Sequence, residues 1–157
     1  MKNIPTVYLI CGFLGAGKTT YSKKLTQETG AIHLNPDEVC MLRYTSEEYE
    51  TNWDFCFAQT VDYLWQEIAT YIKRNKDVIF DMGFWTKLSR EQAINKIKQM
   101  GGYPIIYYIY APDSVLKQRL TKRTGKIAEQ NLLHFDSIKK SFEEPSQEEV
   151  FITVKNY

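Results

Sequence analysis

Residues 12–19 read Gly-Phe-Leu-Gly-Ala-Gly-Lys-Thr, a complete G-x-x-x-x-G-K-[ST] phosphate-binding loop. The apolar run Val7-Tyr8-Leu9-Ile10-Cys11 leads into it, and Thr20 opens a helix-compatible stretch behind it. That is the strand–loop–helix setting in which the motif works. Gly12, Gly15, Ala16 and Gly17 let backbone N–H groups turn inward around a phosphate, and the helix behind them adds a positive dipole end and unsatisfied donors. Lys18 can reach the β- and γ-phosphates, and the Thr19 hydroxyl is placed to ligate Mg²⁺. These residues imply that a nucleoside triphosphate binds here.

Further charged residues lie where short apolar runs end. Asp37 follows Asn35-Pro36, and the proline forces an extended approach that projects the carboxylate at the end of the second run. Two roles stay open for it, a proton acceptor or a helix N-cap, with Glu38 as the fallback carboxylate and Arg43 available for an anionic group on a substrate. Asp81 closes the run Asp77-Val78-Ile79-Phe80-Asp81, where a buried strand end would hardly keep an aspartate without a role such as Mg²⁺ binding or anchoring a loop hydroxyl. Phe84 and Trp85 could line a pocket, and Arg90, in a first helical turn that disfavours a cation, could contact a substrate or Asp37. Arg119 and Arg123 are four apart, on one face if one helix carries both, beside a second pair, Lys122 and Lys126. Cations there could close over a phosphoryl group in transfer. His33 and His134 have no carboxylate or Cys at metal-ligand spacing, and neither is read as a ligand.

The elements that must hold these groups alternate. Strands are expected at about 6–11, 31–34, 77–81, 103–110 and 151–154. Helices are expected at about 18–28, capped by Gly30; briefly from Asp37; at about 47–74; from a Ser89 cap to about Met100, stopped by Gly101-Gly102; after Ala111-Pro112-Asp113; and over 135–141, beyond a break at Gly125. Trp53, Phe57, Val61, Leu64, Ile68 and Ile72 recur at spacings of three and four, a stripe expected to pack into the core. The unbroken apolar character of 103–110 predicts a strand buried on both faces. The pattern is an α/β doubly wound parallel sheet of five strands, whose ligands sit beyond the carboxyl ends of the strands.

The string Gly12-Phe13-Leu14-Gly15-Ala16-Gly17-Lys18-Thr19-Thr20 resembles the phosphate loop of CobW-type metal-chaperone GTPases. The C-x-C-C metal motif and the N-K-x-D guanine motif of that family are missing; Asn95-Lys96-Ile97-Lys98 has Lys98 where the aspartate belongs. Nearly the whole chain instead resembles the small P-loop kinases grouped with polynucleotide 5′-hydroxyl kinase, zeta toxin and chloramphenicol phosphotransferase, and most closely predicted bacterial ATP-dependent kinases within that group. Besides the loop, the resemblance rests on Asn35-Pro36-Asp37-Glu38 with Arg43, on Val78 to Trp85 with Arg90, on Tyr110-Ala111-Pro112 leading to Arg119 and Arg123, and on Phe142-Glu143-Glu144-Pro145. It implies a nucleotide-kinase-like P-loop fold with a short lid over about 117–130. It also implies ATP as co-substrate and Mg²⁺ held by Thr19 and Asp81. Asp37 would be the base toward an acceptor hydroxyl, Arg119 and Arg123 the lid cations, and Glu143-Glu144-Pro145 the loop beside the adenine. The acceptor does not follow, because related folds phosphorylate unrelated hydroxyls.

Composition narrows the rest. At 157 residues, 43% hydrophobic and 25% charged, the chain is expected to form one domain with a real core. A net charge of +1 gives no global electrostatic case for nucleic acid and leaves a local basic patch open; a polynucleotide acceptor remains allowed but is not favoured. Three cysteines without C-x-x-C spacing fit a reducing cytoplasm, and Met1 to Pro5 show no leader-like apolar stretch. No run reaches membrane-span length. Tyr44, Tyr49, Trp53, Phe84 and Trp85 offer aromatic surface for a small apolar-faced acceptor. The expectation is an ATP-dependent kinase acting on a small hydroxyl acceptor. The alternatives are a CobW-like GTPase or metal chaperone, and a nucleotide-binding module without transfer activity.

Overall fold

The β-branched and aromatic runs become five strands in this computed structural model, which describes residues 3–157. Met1 and Lys2, where the N-terminal stretch begins, lie outside the described residues. The strands are β1 (Thr6–Cys11), β2 (Ile32–Leu34), β3 (Val78–Gly83), β4 (Tyr103–Tyr110) and β5 (Phe151–Lys155). All four neighbouring pairs run parallel, in the order β2-β3-β1-β4-β5. The strand that carries the phosphate loop is therefore central, and Val7, Leu9, Ile10 and Cys11 are fully buried in it. Among the described residues seven helices connect the strands: α1 (Lys18–Thr29), α2 (Pro36–Arg43), α3 (Ser46–Lys73), α4 (Lys87–Gln99), α5 (Asp113–Thr121), α6 (Lys126–Leu133) and α7 (Phe135–Lys139). None of the described helices is long and apolar enough to cross a membrane.

Local chemistry explains most boundaries and corrects several expectations. Gly30 ends α1 in a left-handed conformation, as its type predicts. At α2 the cap is Asn35, whose side chain accepts from the Glu38 N–H; Asp37 is left without a capping task. At α4 the cap is Thr86, with Ser89 its reciprocal partner in a capping box, so the helix starts three residues earlier than a Ser89 cap predicts. The third strand does not stop at Asp81 but continues to Gly83, with a register shift between the Leu9–Phe80 and Cys11–Gly83 pairs. An irregularity of this kind re-aims a strand side chain, here next to the phosphate loop.

Two packing expectations also change. Leu64, Ile68 and Ile72 of the α3 stripe are buried as expected, whereas Trp53 is 53% exposed and Phe57 half-buried. A helix of 28 residues spans about 42 Å, about twice the length of six-residue β3, so its first half overhangs the carboxyl edge of the sheet. A break at Asn52 (φ −144°, ψ 45°) interrupts that overhanging half. β4 is buried only toward its carboxyl end: Ile106, Tyr108 and Ile109 are covered, but Tyr103 is exposed. β4 lies beside the edge strand β5, whose residues are half-buried or exposed, so its first residues lack cover.

Candidate active site

The carboxyl ends of β1, β2 and β3 open into a cavity of about 700 Å³. Its floor is the phosphate loop, with Gly15, Gly17, Lys18, Thr19 and Thr20 all reaching it. Gly17 (φ +93°) begins α1, so the first N–H groups of that helix are presented at the same end. The Lys18 ammonium folds back on the loop and donates to the Phe13 carbonyl at 3.0 Å. Burial lowers its pKa, while the charge of Asp81 works in the other direction. Gly12 and Ala16 do not reach the cavity. Gly12 donates to the Gly83 carbonyl and a Cβ there would lie 2.8 Å from the Ile109 carbonyl, while buried Ala16 donates to Phe13 within the loop.

Both singled-out aspartates enter this cavity. Asp81 is 3% exposed; its Oδ2 accepts from Asn35 Nδ2 at 3.1 Å and lies 3.2 Å from His33 Nε2. Its partners are thus a neighbouring strand and the α2 cap, not a phosphate-loop hydroxyl. Burial pushes its carboxyl up, but the hydrogen bonds of His33 and Asn35 and the Lys18 charge outweigh burial and hold it below the usual carboxylate range. The other oxygen, Oδ1, is buried without a hydrogen-bond partner among the described residues. Asp37 opens onto the cavity as an exposed side chain. Its pKa is raised by desolvation, opposed by Lys18 and reinforced by Asp81.

The rest of the lining is mainly aromatic: Trp53, Phe57, Phe84 and Trp85, with the hydroxyl residues Thr86 and Ser89 beside them. Tyr44 and Tyr49, expected on this wall, do not line the cavity. Phe84 has φ +45°, a left-handed backbone that a bulky side chain adopts only when its surroundings impose it. Those surroundings are polar bonds. The Phe84 carbonyl accepts from Arg90 Nη1 at 2.9 Å, and Trp85 accepts through its own carbonyl from the Glu143 N–H at 2.8 Å. Phe13 then packs on the indole, ring centroids 5.1 Å apart.

The arginines depart most from expectation. Arg90 contacts neither substrate space nor Asp37. It is fully buried, pairs with both oxygens of Glu149 at 2.6 and 2.8 Å, and donates to the Phe84 and Glu143 carbonyls. A guanidinium has enough donors for all four contacts, and no isolated sequence signal points to Glu149. Arg43 is exposed, 4.3 Å from the centre of the Tyr63 ring, and does not line the cavity. Arg119 and Arg123 do not share a helix face, because α5 ends at Thr121 before Arg123. Arg123 reaches the cavity. Arg119 instead lies behind the loop, donating to the Gly15 and Ala16 carbonyls at 3.2 and 3.3 Å and to the Asn156 carbonyl at 2.7 Å. The Asn156 side chain donates to the same Ala16 carbonyl at 2.7 Å, a loop contact from the last residues that sequence reasoning missed. His33 was missed in the same way. Glu143 is bonded to Trp85, Lys87 and Arg90, which places the Glu143-Glu144-Pro145 segment against the aromatic wall.

Together these groups can cradle a polyphosphate on backbone donors and Lys18, hold a divalent cation near Asp81 and Thr19, and place Asp37 beside an aromatic-walled space. Among the described residues no cluster of three His, Cys, Asp or Glu side chains could hold a metal alone. A cation here would share its shell with phosphate oxygens and water, as Mg²⁺ commonly does.

A family of P-loop proteins described as an AAA domain matches residues 7–145. No curated protein matches the sequence. Among solved structures the chain is similar to a candidate kinase from Chloroflexus aurantiacus, with TM-score 0.75, 20% identity, and coverage of 99% of this chain and 87% of the other. It is also similar to a sugar kinase from a Janibacter species, at TM-score 0.69, 19% identity and coverage of 98% and 86%. A gluconokinase from Sinorhizobium meliloti aligns at TM-score 0.69 and 16% identity, covering 98% and 83%. At these identities the likeness establishes the fold, a kinase-like P-loop α/β sheet flanked by helices.

Proposed function

The chain belongs to this AAA domain family, and on that premise we propose that it is an ATP- and Mg²⁺-dependent kinase that transfers the γ-phosphoryl group to the hydroxyl of a small acceptor. The observation that carries the proposal is that Asp37 and Asp81 open into one cavity with Lys18 and Thr19. Loop amides and Lys18 bind the β- and γ-phosphates. Thr19 and Asp81 would hold Mg²⁺: Asp81 keeps a buried oxygen free for such a role and its carboxyl is held ionised. Bound there, Mg²⁺ supplies positive charge to the phosphate oxygens. Asp37 accepts the acceptor's hydroxyl proton and orients that oxygen toward the phosphorus. Arg123 provides a cation facing the same space, and Arg119 keeps the loop carbonyls turned outward so that the amides point at the phosphates.

The unit is a single domain whose segment over about 117–130 acts as a lid: the end of α5, a turn at Gly125 and the start of α6. Three free, buried cysteines fit a reducing cytoplasm. Calorimetry with Mg·ATP, Mg·ADP and Mg·GTP on the wild type and on Lys18→Ala tests the core of the proposal, followed by transfer from γ-labelled ATP to pooled alcohols. Binding of ATP that Lys18→Ala weakens or abolishes is the expected result. Absence of nucleotide binding overturns the proposal, and a clear GTP preference moves it to a GTPase.

A further inference from the structure

The part of the cavity beyond the phosphate loop has an uneven chemical make-up. Its walls are Trp53, Phe57, Phe84 and Trp85, its small hydroxyl residues are Thr86 and Ser89, both engaged in the α4 capping box, and its free carboxylate is Asp37. The only cations that line the cavity among the described residues are Lys18, folded back on the phosphate loop, and Arg123, which follows α5. The two arginines nearest to the aromatic wall in sequence are diverted. Arg90 has its donors bound to Glu149, Phe84 and Glu143, and Arg43 sits outside over Tyr63.

An anionic acceptor would thus bring a carboxylate or phosphate into a space that already holds Asp37, Asp81 and a polyphosphate, where the two lining cations, Lys18 and Arg123, are committed to the phosphoryl groups of the nucleotide. Desolvating an unpaired charge there is costly, and recognition of such groups elsewhere relies on a paired arginine. A cationic acceptor fares no better. Asp81 Oδ2 is taken by Asn35 and His33 and its buried Oδ1 is assigned to Mg²⁺, which leaves Asp37, and an ammonium paired to Asp37 would occupy the group that must receive the hydroxyl proton. What the walls do offer is flat apolar surface. Trp53 is 53% exposed and Trp85 half-buried, so both have ring area free to cover the apolar face of a ligand.

We infer that the acceptor is an uncharged alcohol carried on a ring with an apolar face, such as a neutral sugar, glycoside or nucleoside, and not a sugar acid, a phosphorylated sugar or a nucleic-acid end. The inference rests on the reading of this cavity as a phosphoryl-acceptor site. It is tested with matched probes and Mg·ATP: glucose and phenyl glucoside against glucuronate, glucose 6-phosphate and glucosamine, and uridine against uridine 5′-monophosphate and an oligonucleotide with a free 5′-hydroxyl. Phosphorylation of a neutral member with kcat/KM at least about tenfold above its charged counterparts is the expected result. Trp53→Ala and Phe57→Ala should then raise KM for that acceptor about tenfold while the calorimetric Kd for Mg·ATP stays unchanged. Preference for a charged member overturns the inference, and so does failure of every neutral member in a protein that binds Mg·ATP; both leave the nucleotide reading intact. Loss of Mg·ATP binding itself overturns the kinase proposal and this inference with it.

Discussion

At the scale of residues, Asp37 separates catalysis from stability because Asn35, and not Asp37, caps α2. Asp37→Asn removes the proton acceptor and leaves the cap in place, so turnover on an identified acceptor should fall about a hundredfold or more with the fold intact. The raised pKa of Asp37 sets the sign of two further effects. Its folded pKa lies above its unfolded value, so the cost of ionising Asp37 in the fold sets in as the pH rises through the unfolded value and is complete above the folded one, and Asp37→Asn should be neutral or slightly stabilising at pH 7 in urea melts. The acid limb of kcat/KM, which reports the free enzyme, should correspondingly lie above the ordinary aspartate value of about 3.9. Asp81 behaves oppositely. Its folded pKa is depressed, so its contribution to stability is complete above the unfolded value of about 3.9 and is lost as the pH falls through the folded one. Asp81→Asn should flatten that acid-side loss in a series of urea melts between about pH 2 and 5.

At the scale of elements, Arg90 and Glu149 hold α4, the Phe84 turn and the segment before β5 together. Removing one partner strands a buried charge. Arg90→Ala or Glu149→Ala should each destabilise by about 3–5 kcal/mol in urea unfolding. The double change Arg90→Met with Glu149→Leu should recover much of that loss, because no lone charge remains. Recovery of stability without recovery of acceptor KM would fit the second task of Arg90, which is to hold the left-handed Phe84 and thereby the position of Trp85. Asn156 and Arg119 form a similar clamp at the other side, where both donate to the Ala16 carbonyl. A Cβ on Gly17 would collide with the Asn156 amide, so this clamp and the glycine depend on each other.

At the scale of the whole molecule, ligand binding and charge give the clearest readouts. Mg·ATP at about a hundred times its Kd should add about 2.7 kcal/mol of stability, visible as a rise in Tm that Lys18→Ala loses. With a net charge of +1, acceptor KM should change little between about 50 and 200 mM salt, whereas a track of several phosphate contacts would weaken binding by orders of magnitude over that range.

The strands, most helix ends and the phosphate loop were readable in the sequence because each depends on neighbours along the chain. A β-branched run, a Gly at a left-handed C-cap or the loop spacing acts within a few residues, and β1 and β4 have the expected bounds. Asp37, Asp81 and Trp85 could be singled out for the same reason, since each lies just past an apolar run whose end opens on the ligand side of the sheet. The partners of these residues could not. His33 meets Asp81 across 48 positions, Arg90 meets Glu149 across 59, and Asn156 reaches Ala16 across 140. Such pairings depend on strand order and on the overhang of α3 past the sheet, which no local pattern encodes. Tertiary structure alone decided that Arg90 is buried with its donors bound, that Arg119 braces the loop from behind, and that Trp53 and Phe57 face the cavity instead of the core. A charged side chain takes whichever partner the packed chain brings within about 3 Å, because a buried unpaired charge costs more than any local preference can return.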